Sequence, residues 1–253
     1  NTQLLRLNYG IFALHAILTA TFVILPLSLQ HNLHLSQTHQ SWVYAPVLII
    51  SFLFMIPLVI IAESKHKMKQ IFILSICLFT LAQVGFILFA NNLPLTIVSL
   101  TIFFTSFVLL EATLPSMISK IAPATAKGTA LGVYSSCQFF GAFIGGSIGG
   151  FLFSLNNINN KNIYVFLFCI ALAIIWLALA ISMQRPKQLA TRMLNIKVFI
   201  QDKSDNQIKN IEKELLNLQG VKQAKIISQE GVAYLKVESN ILDEKKLLKY
   251  IKY

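Results

Sequence analysis

The chain has 253 residues, of which 55% are hydrophobic and only 12% charged, with a mean hydropathy of +0.66. A globular domain carries about twice that charge, so the composition points away from a soluble enzyme. The net charge of +11 is not a nucleic-acid footprint either, because that footprint is a basic patch on one face. Here ten Lys/Arg and two acids (Glu63 and Glu111) lie between Asn1 and Met193, and eleven Lys and eight acids follow from Leu194 on. The first excess is the basic fringe of a membrane protein. The second is a near-balanced soluble surface.

A bilayer span needs about 20 apolar residues to cross roughly 30 Å of hydrocarbon. Six stretches qualify: Leu7–Leu27, Val43–Ala62, Ile71–Ala90, Leu95–Ser119, Leu131–Leu155 and Ile163–Met183. All are predicted helices, since lipid offers backbone groups no other partner. Arg6 precedes the first span. Loop 28–42 has no Lys or Arg, whereas loop 63–70 carries Lys65, Lys67 and Lys69. Loop 91–94 has none, loop 120–130 carries Lys120 and Lys127, and loop 156–162 has only Lys161. Arg185, Lys187 and Arg192 follow the sixth span. This alternation places the N-terminus, loops 63–70 and 120–130 and the C-terminal segment in the cytoplasm.

After a linker at 185–193 that contains Pro186, the apolar period changes to two. Leu194, Ile196, Val198 and Ile200 predict a strand with one buried face. Ser204-x-x-Gln207 fits a capping box, and Ile208, Ile211, Leu215 and Leu218 follow at helical spacing. Gly220 is placed to end that helix. Val221–Ile227 and Val232–Val237 predict two further strands joined by a tight turn at Ser228–Gly231. Asn240 could cap a last helix with Leu247, Leu248 and Ile251 on one face. The predicted fold class is thus an α-helical polytopic bundle over 1–184, plus a small α+β ferredoxin-like βαββα domain over 194–253. A core of about 60 residues is marginal alone.

Glu111 is the one acid deep within a span. An ionised carboxylate there costs at least a few kcal/mol, so it must be protonated, paired or wet. It is the candidate for proton coupling, the bland reading being a structural partner for a neighbouring helix. Pro115, one turn on, weakens that helix. Asn8, Tyr9 and His15 are polar positions on the first span, and Gln83 and Gln138 are lone intramembrane amides. Each is read either as lining a cavity or as a helix–helix hydrogen bond. Gly141, Gly145 and Gly149 are spaced by four, as are Gly146 and Gly150. They suit close helix packing or a gating helix. His31, His34 and His39 form H-x2-H-x4-H without a nearby carboxylate or cysteine and match no common zinc site. Cys77, Cys137 and Cys169 lie in apolar stretches and form no CxxC pair. No metal or cofactor is expected. No hydrolase, zincin or Walker motif is present in the sequence.

Four segments carry a resemblance: LRLNYGIFALH, IPLVIIAESKHKMKQ, LLEATLPSMISKIAP and KGTALGVYSSCQFFGAFIGGSIGGFL. Together they resemble the C-terminal half of a major facilitator superfamily transporter, within the YajR-type group of bacterial inner-membrane transporters. That group also carries a ferredoxin-like cytoplasmic domain after its twelfth span. The resemblance implies that these spans are helices seven to twelve of a twelve-helix fold, with the substrate site between two halves at the midplane. It implies proton-driven efflux of a small molecule. It places Glu111 on helix ten and His15 on helix seven, both lining the cavity. The stretch Glu63, Lys65, Lys67 and Lys69 becomes a degenerate counterpart of the N-half gating loop. The expected partners are the lipid bilayer, an N-terminal six-helix half supplied by the same or a separate chain, a small-molecule substrate and the proton. The start at Asn1 reads as a piece of something longer. The alternative function is a membrane-anchored regulatory module without transport. The tail shares its strand order with heavy-metal-associated domains, but its stretch Gln201–Ser204 lacks their cysteines.

Overall fold

The computed structural model describes residues 1–65, 67–155, 163–183, 191–197, 205–227 and 231–238. The chain divides into two compact units, a helical bundle and a small α+β unit. Six helices build the bundle: α1 (Thr2–His31), α2 (Gln37–Ser64), α3 (Met68–Leu88), α4 (Leu93–Ile121), α5 (Lys127–Ser154) and α6 (Ile163–Ile181). Each is long and apolar enough to cross a membrane. They are the six predicted spans. Most overrun the predicted ends, because the backbone hydrogen-bond ladder continues past the hydrocarbon boundary until a cap stops it. Asn92, for example, accepts a hydrogen bond from Leu95 N at 3.1 Å and starts α4.

α1 is the most buried span, and it packs on α5, α6 and α4. α3 packs between α4 and α6, and α2 packs on α4. α2 and α5 are the least buried spans. The core is aromatic and aliphatic: Phe79 stacks on Phe103 at 4.7 Å, and Trp176 meets Phe72 edge-on. The end of α6 is held from two sides. Arg6 Nη1 donates to Ser182 O at 2.9 Å, and Lys69 Nζ donates to Ile181 O at 2.8 Å and to Met183 O. Cations at a helix C-terminus satisfy its orphan carbonyls and complement its dipole.

The glycines of α5 divide by face. Gly141 and Gly145 touch the α1 backbone at Phe12 and Ala16, and Gly149 lies against Ala20. Thr19 Oγ1 donates to Ala142 O at 3.0 Å across the same crossing. Gly146 and Gly150, expected to share this packing, point the other way and meet nothing within 4 Å. Two rows spaced by four but offset by one residue or more lie on different sides of a helix with 3.6 residues per turn.

The second unit contains β1 (Thr191–Lys197), α7 (Asp205–Leu216), β2 (Val221–Ile227) and β3 (Val232–Glu238). The strands form one antiparallel sheet in the order β1-β3-β2. Ile208 and Leu215 of α7 pack with Ile196, Ile226, Ala233, Leu235 and Val237. Gly220 has φ of 91°, which reverses the chain into β2 with no Cβ penalty. β1 begins three residues before the predicted Leu194. Its register with β3 pairs Thr191 with Glu238, so strand pairing extends it where side-chain alternation gives no signal. Of the predicted 185–193 linker, 191–193 belong to β1, while its first part at 185–190, the capping Ser204, most of the 228–231 turn and the last helix from Asn240 lie outside the described residues.

Candidate functional site

Three helices bring three polar side chains together inside the bundle: His15 of α1, Glu111 of α4 and Gln138 of α5. His15 Nδ1 lies 3.3 Å from Ile11 O on its own helix. A carbonyl can only accept, so Nδ1 carries a proton. Nε2 faces outward, 2.9 Å from Gln138 Nε2 and 3.1 Å from Glu111 Oε1. The contact with Gln138 has hydrogen-bond geometry. Glu111 Oε1 stands at ion-pair distance but off the hydrogen-bond direction, and it has no other partner among the described residues. The Glu111 side chain keeps 31% of its surface exposed, against 12% for His15. Within that side chain, Oε1 itself is buried.

Local sequence explains why these groups persist in an apolar span. Pro115 supplies no N–H, so the Glu111 carbonyl loses its usual donor four residues on, and α4 is weakened at the carboxyl. The Phe107 ring meets His15 edge-on at 5.9 Å. One turn below Gln138, Tyr134 is buried, and its hydroxyl has no hydrogen-bond partner among the described residues. Phe12 and Phe140 lie 5.8 Å apart across the α1–α5 contact.

The other predicted positions fall elsewhere. Tyr9 turns to α6 and donates to Leu172 O at 3.3 Å. Asn8 Oδ1 is buried without a partner among the described residues. Gln83, read as lining a cavity or as a helix–helix hydrogen bond, is fully buried in the core and makes the hydrogen bond. Its Nε2 donates to Thr21 Oγ1 at 3.1 Å, and Cys169 Sγ lies 3.9 Å from the same hydroxyl. That node ties α1, α3 and α6 together and leaves the amide no route to a solute. Thr21 escaped the sequence reading because a hydroxyl in an apolar run is common and gives no signal by itself. The loop residues also separate. Glu63 pairs with Lys120 at 2.7 Å and accepts from Ser116 at 3.2 Å, while Lys69 holds the end of α6. Lys65 and Lys67 are exposed. In the 28–42 loop, His39 Nδ1 lies 2.6 Å from Ser36 Oγ. No group of three metal-ligating side chains occurs among the described residues.

A bundle of apolar helices with the His15–Glu111–Gln138 cluster inside it fits a transporter half, and sequence comparison decides the family. Residues 7–201 match the Major Facilitator Superfamily. The chain belongs to that superfamily. It is 36% identical over 239 residues to the inner membrane transport protein YajR of Escherichia coli, which covers 94% of this chain and 50% of the relative. A protein described as an uncharacterized transporter from Buchnera aphidicola subsp. Baizongia pistaciae is 34% identical over 158 residues, 62% of this chain and 40% of its own. Another from Buchnera aphidicola subsp. Schizaphis graminum is 33% identical over 180 residues, 70% of this chain and 44% of its own. The chain spans about half the length of the curated relatives it matches. It is an integral membrane protein of a transporter superfamily, with six helices long and apolar enough to cross a membrane among the described residues.

Proposed function

We propose that this chain supplies six helices of a proton-coupled major facilitator transporter that exports a small molecule by alternating access. The observation that carries the reading is the Glu111–His15–Gln138 cluster. A carboxyl and an imidazole at ion-pair distance inside a span can take up and release a proton, and they cost too much in lipid to be kept without use. Rocking of two six-helix halves about a midplane cavity would expose Glu111 to each side in turn.

A second six-helix unit, from the same or another chain, would seat against α2 and α5. Their low burial supports this placement. So does the row of exposed side chains on α5 that includes Val133, Phe139, Phe140 and Phe143. The distribution of Lys and Arg supports a cytoplasmic N-terminus and tail, and the E. coli relative supports an inner-membrane location. The order β1-β3-β2 with α7 on one face supports a ferredoxin-like tail.

The test is flux in proteoliposomes holding both halves, loaded with a pH-reporting dye and challenged with a panel of small amphipathic molecules. Wild type should couple substrate movement to proton movement. Glu111→Gln should remove the coupling and leave the protein folded. Unchanged pH dependence in that variant removes Glu111 from the mechanism. No flux of any compound with both halves present favours a membrane-anchored module instead.

A further inference from the structure

Hydrogen-bond accounting at His15 leads beyond Glu111. Nδ1 is committed as a donor to Ile11 O. In the neutral ring Nε2 is then a lone pair, and in the imidazolium it is a second N–H. The group placed along that direction is Gln138 Nε2 at 2.9 Å, an amide nitrogen that only donates. The described geometry is therefore that of the neutral ring, with Gln138 filling its one acceptor. A proton cannot be added to Nε2 in this arrangement, because two N–H groups would face each other.

We propose that Gln138 is the positioning residue of the proton site: its amide donates to His15 when the site is empty and turns to accept from Nε2–H when the site is loaded. The inference rests on the proton-coupled reading above. An amide presents a donor at one end and an acceptor at the other, so a half-turn about its last torsion exchanges the two. Glu111 Oε1, 3.1 Å from Nε2 and off the bond direction, balances the imidazolium charge in the loaded state. The amide is also mechanically placed. Gln138 lies one turn before Gly141, where α5 touches the α1 backbone at Phe12.

Away from the helix ends, the titratable groups on the helices round His15 are Tyr9 on α1, Tyr44 on α2, Glu111 on α4, Tyr134 and Cys137 on α5, and Cys169 on α6, with Tyr164 at the start of α6. Tyr9 is bonded to Leu172 O, and Cys169 sits against Thr21. Tyr44 packs on Phe22. Glu111 is the acidic group at ion-pair distance.

The experiment uses the full chain, labelled with ¹⁵N-histidine and held in lipid nanodiscs. The His15 signals are identified by their loss in His15→Asn, and the pH is titrated. The wild-type neutral ring should carry its proton on Nδ1. In Gln138→Met both states lose the amide, and the bond to the charged ring is the stronger of the two, so Nε2 should take up its proton at a pH about half a unit to one unit lower. Gln138→Glu, whose carboxylate accepts from Nε2–H and cannot donate to the neutral ring, should move the midpoint the opposite way, above wild type. A wild-type proton on Nε2 overturns the proposal. So do midpoints within about 0.2 units of wild type in both variants, since a packing role alone lowers stability without moving the titration. These readouts need no flux. Failure of the proton-coupled reading is read separately, as unchanged pH dependence of transport in Glu111→Gln.

Discussion

Gly145→Ala against Gly146→Ala isolates what holds α5 to α1. A Cβ built on Gly145 falls 2.1 Å from the Ala16 carbonyl oxygen, 2.4 Å from Thr19 Oγ1 and 2.5 Å from Ala16 Cα. Ordinary contact begins at 3.4 Å, so the two helices must separate by roughly 1 Å. Two of the three atoms are backbone, and no rotamer change removes them. On Gly146, one residue on, a Cβ meets nothing within 4 Å. Both substitutions gain about the same helix propensity, roughly 1 kcal/mol, so their difference reports the crossing itself. Overpacking costs about 1–3 kcal/mol. Loss of the 3.0 Å bond from Thr19 to Ala142 O adds about 0.6 kcal/mol, a typical interhelical value in bilayers. The expected gap between the two variants is about 2–4 kcal/mol, with Gly145→Ala the weaker. Unfolding in mixed micelles, followed by the fluorescence of Trp42 and the buried Trp176, measures it. Equal stabilities, or a greater loss in Gly146→Ala, refute the assignment of the packing face.

Two further substitutions test the bonds that separate core from surface. Gln83→Leu leaves Thr21 Oγ1 without its amide in a dry core and should cost about 1–3 kcal/mol, while the double change Gln83→Leu/Thr21→Val should recover most of it. A double-mutant cycle on unfolding free energy gives the coupling, and strictly additive losses would show that the pair does not interact. Glu63→Gln breaks the exposed pair with Lys120 and should cost less than about 1 kcal/mol, with the difference shrinking at high salt. A larger, salt-independent loss would mean the pair is shielded in the membrane-bound state.

The spans were legible because the bilayer imposes one length and one composition on every helix that crosses it, and α1 to α6 each meet both. The ends were not, since capping by residues such as Asn92 is local chemistry beyond the apolar run. The strands β2 and β3 were legible for the same kind of reason: Ala233, Leu235 and Val237 alternate onto one buried face. The start of β1 was not, because its first residues are fixed by pairing with β3 across the sheet.

The candidate site divides along the same line. A carboxyl or an imidazole in an apolar run is costly wherever the helix turns, so Glu111 and His15 stand out singly. Gln83 and Gln138 are equal as sequence signals, each a lone amide in a span. Only the facing helix tells them apart: one is closed in by Thr21, and the other meets His15 from 123 residues away. The five glycines between 141 and 150 of α5 behave alike, being equal in spacing and divided by what lies opposite. What a side chain costs is written where it stands, whereas what it does depends on the helix across from it. A polar residue in a span can therefore be noticed from its own neighbours in the chain, but its role follows only once the crossing that contains it is built.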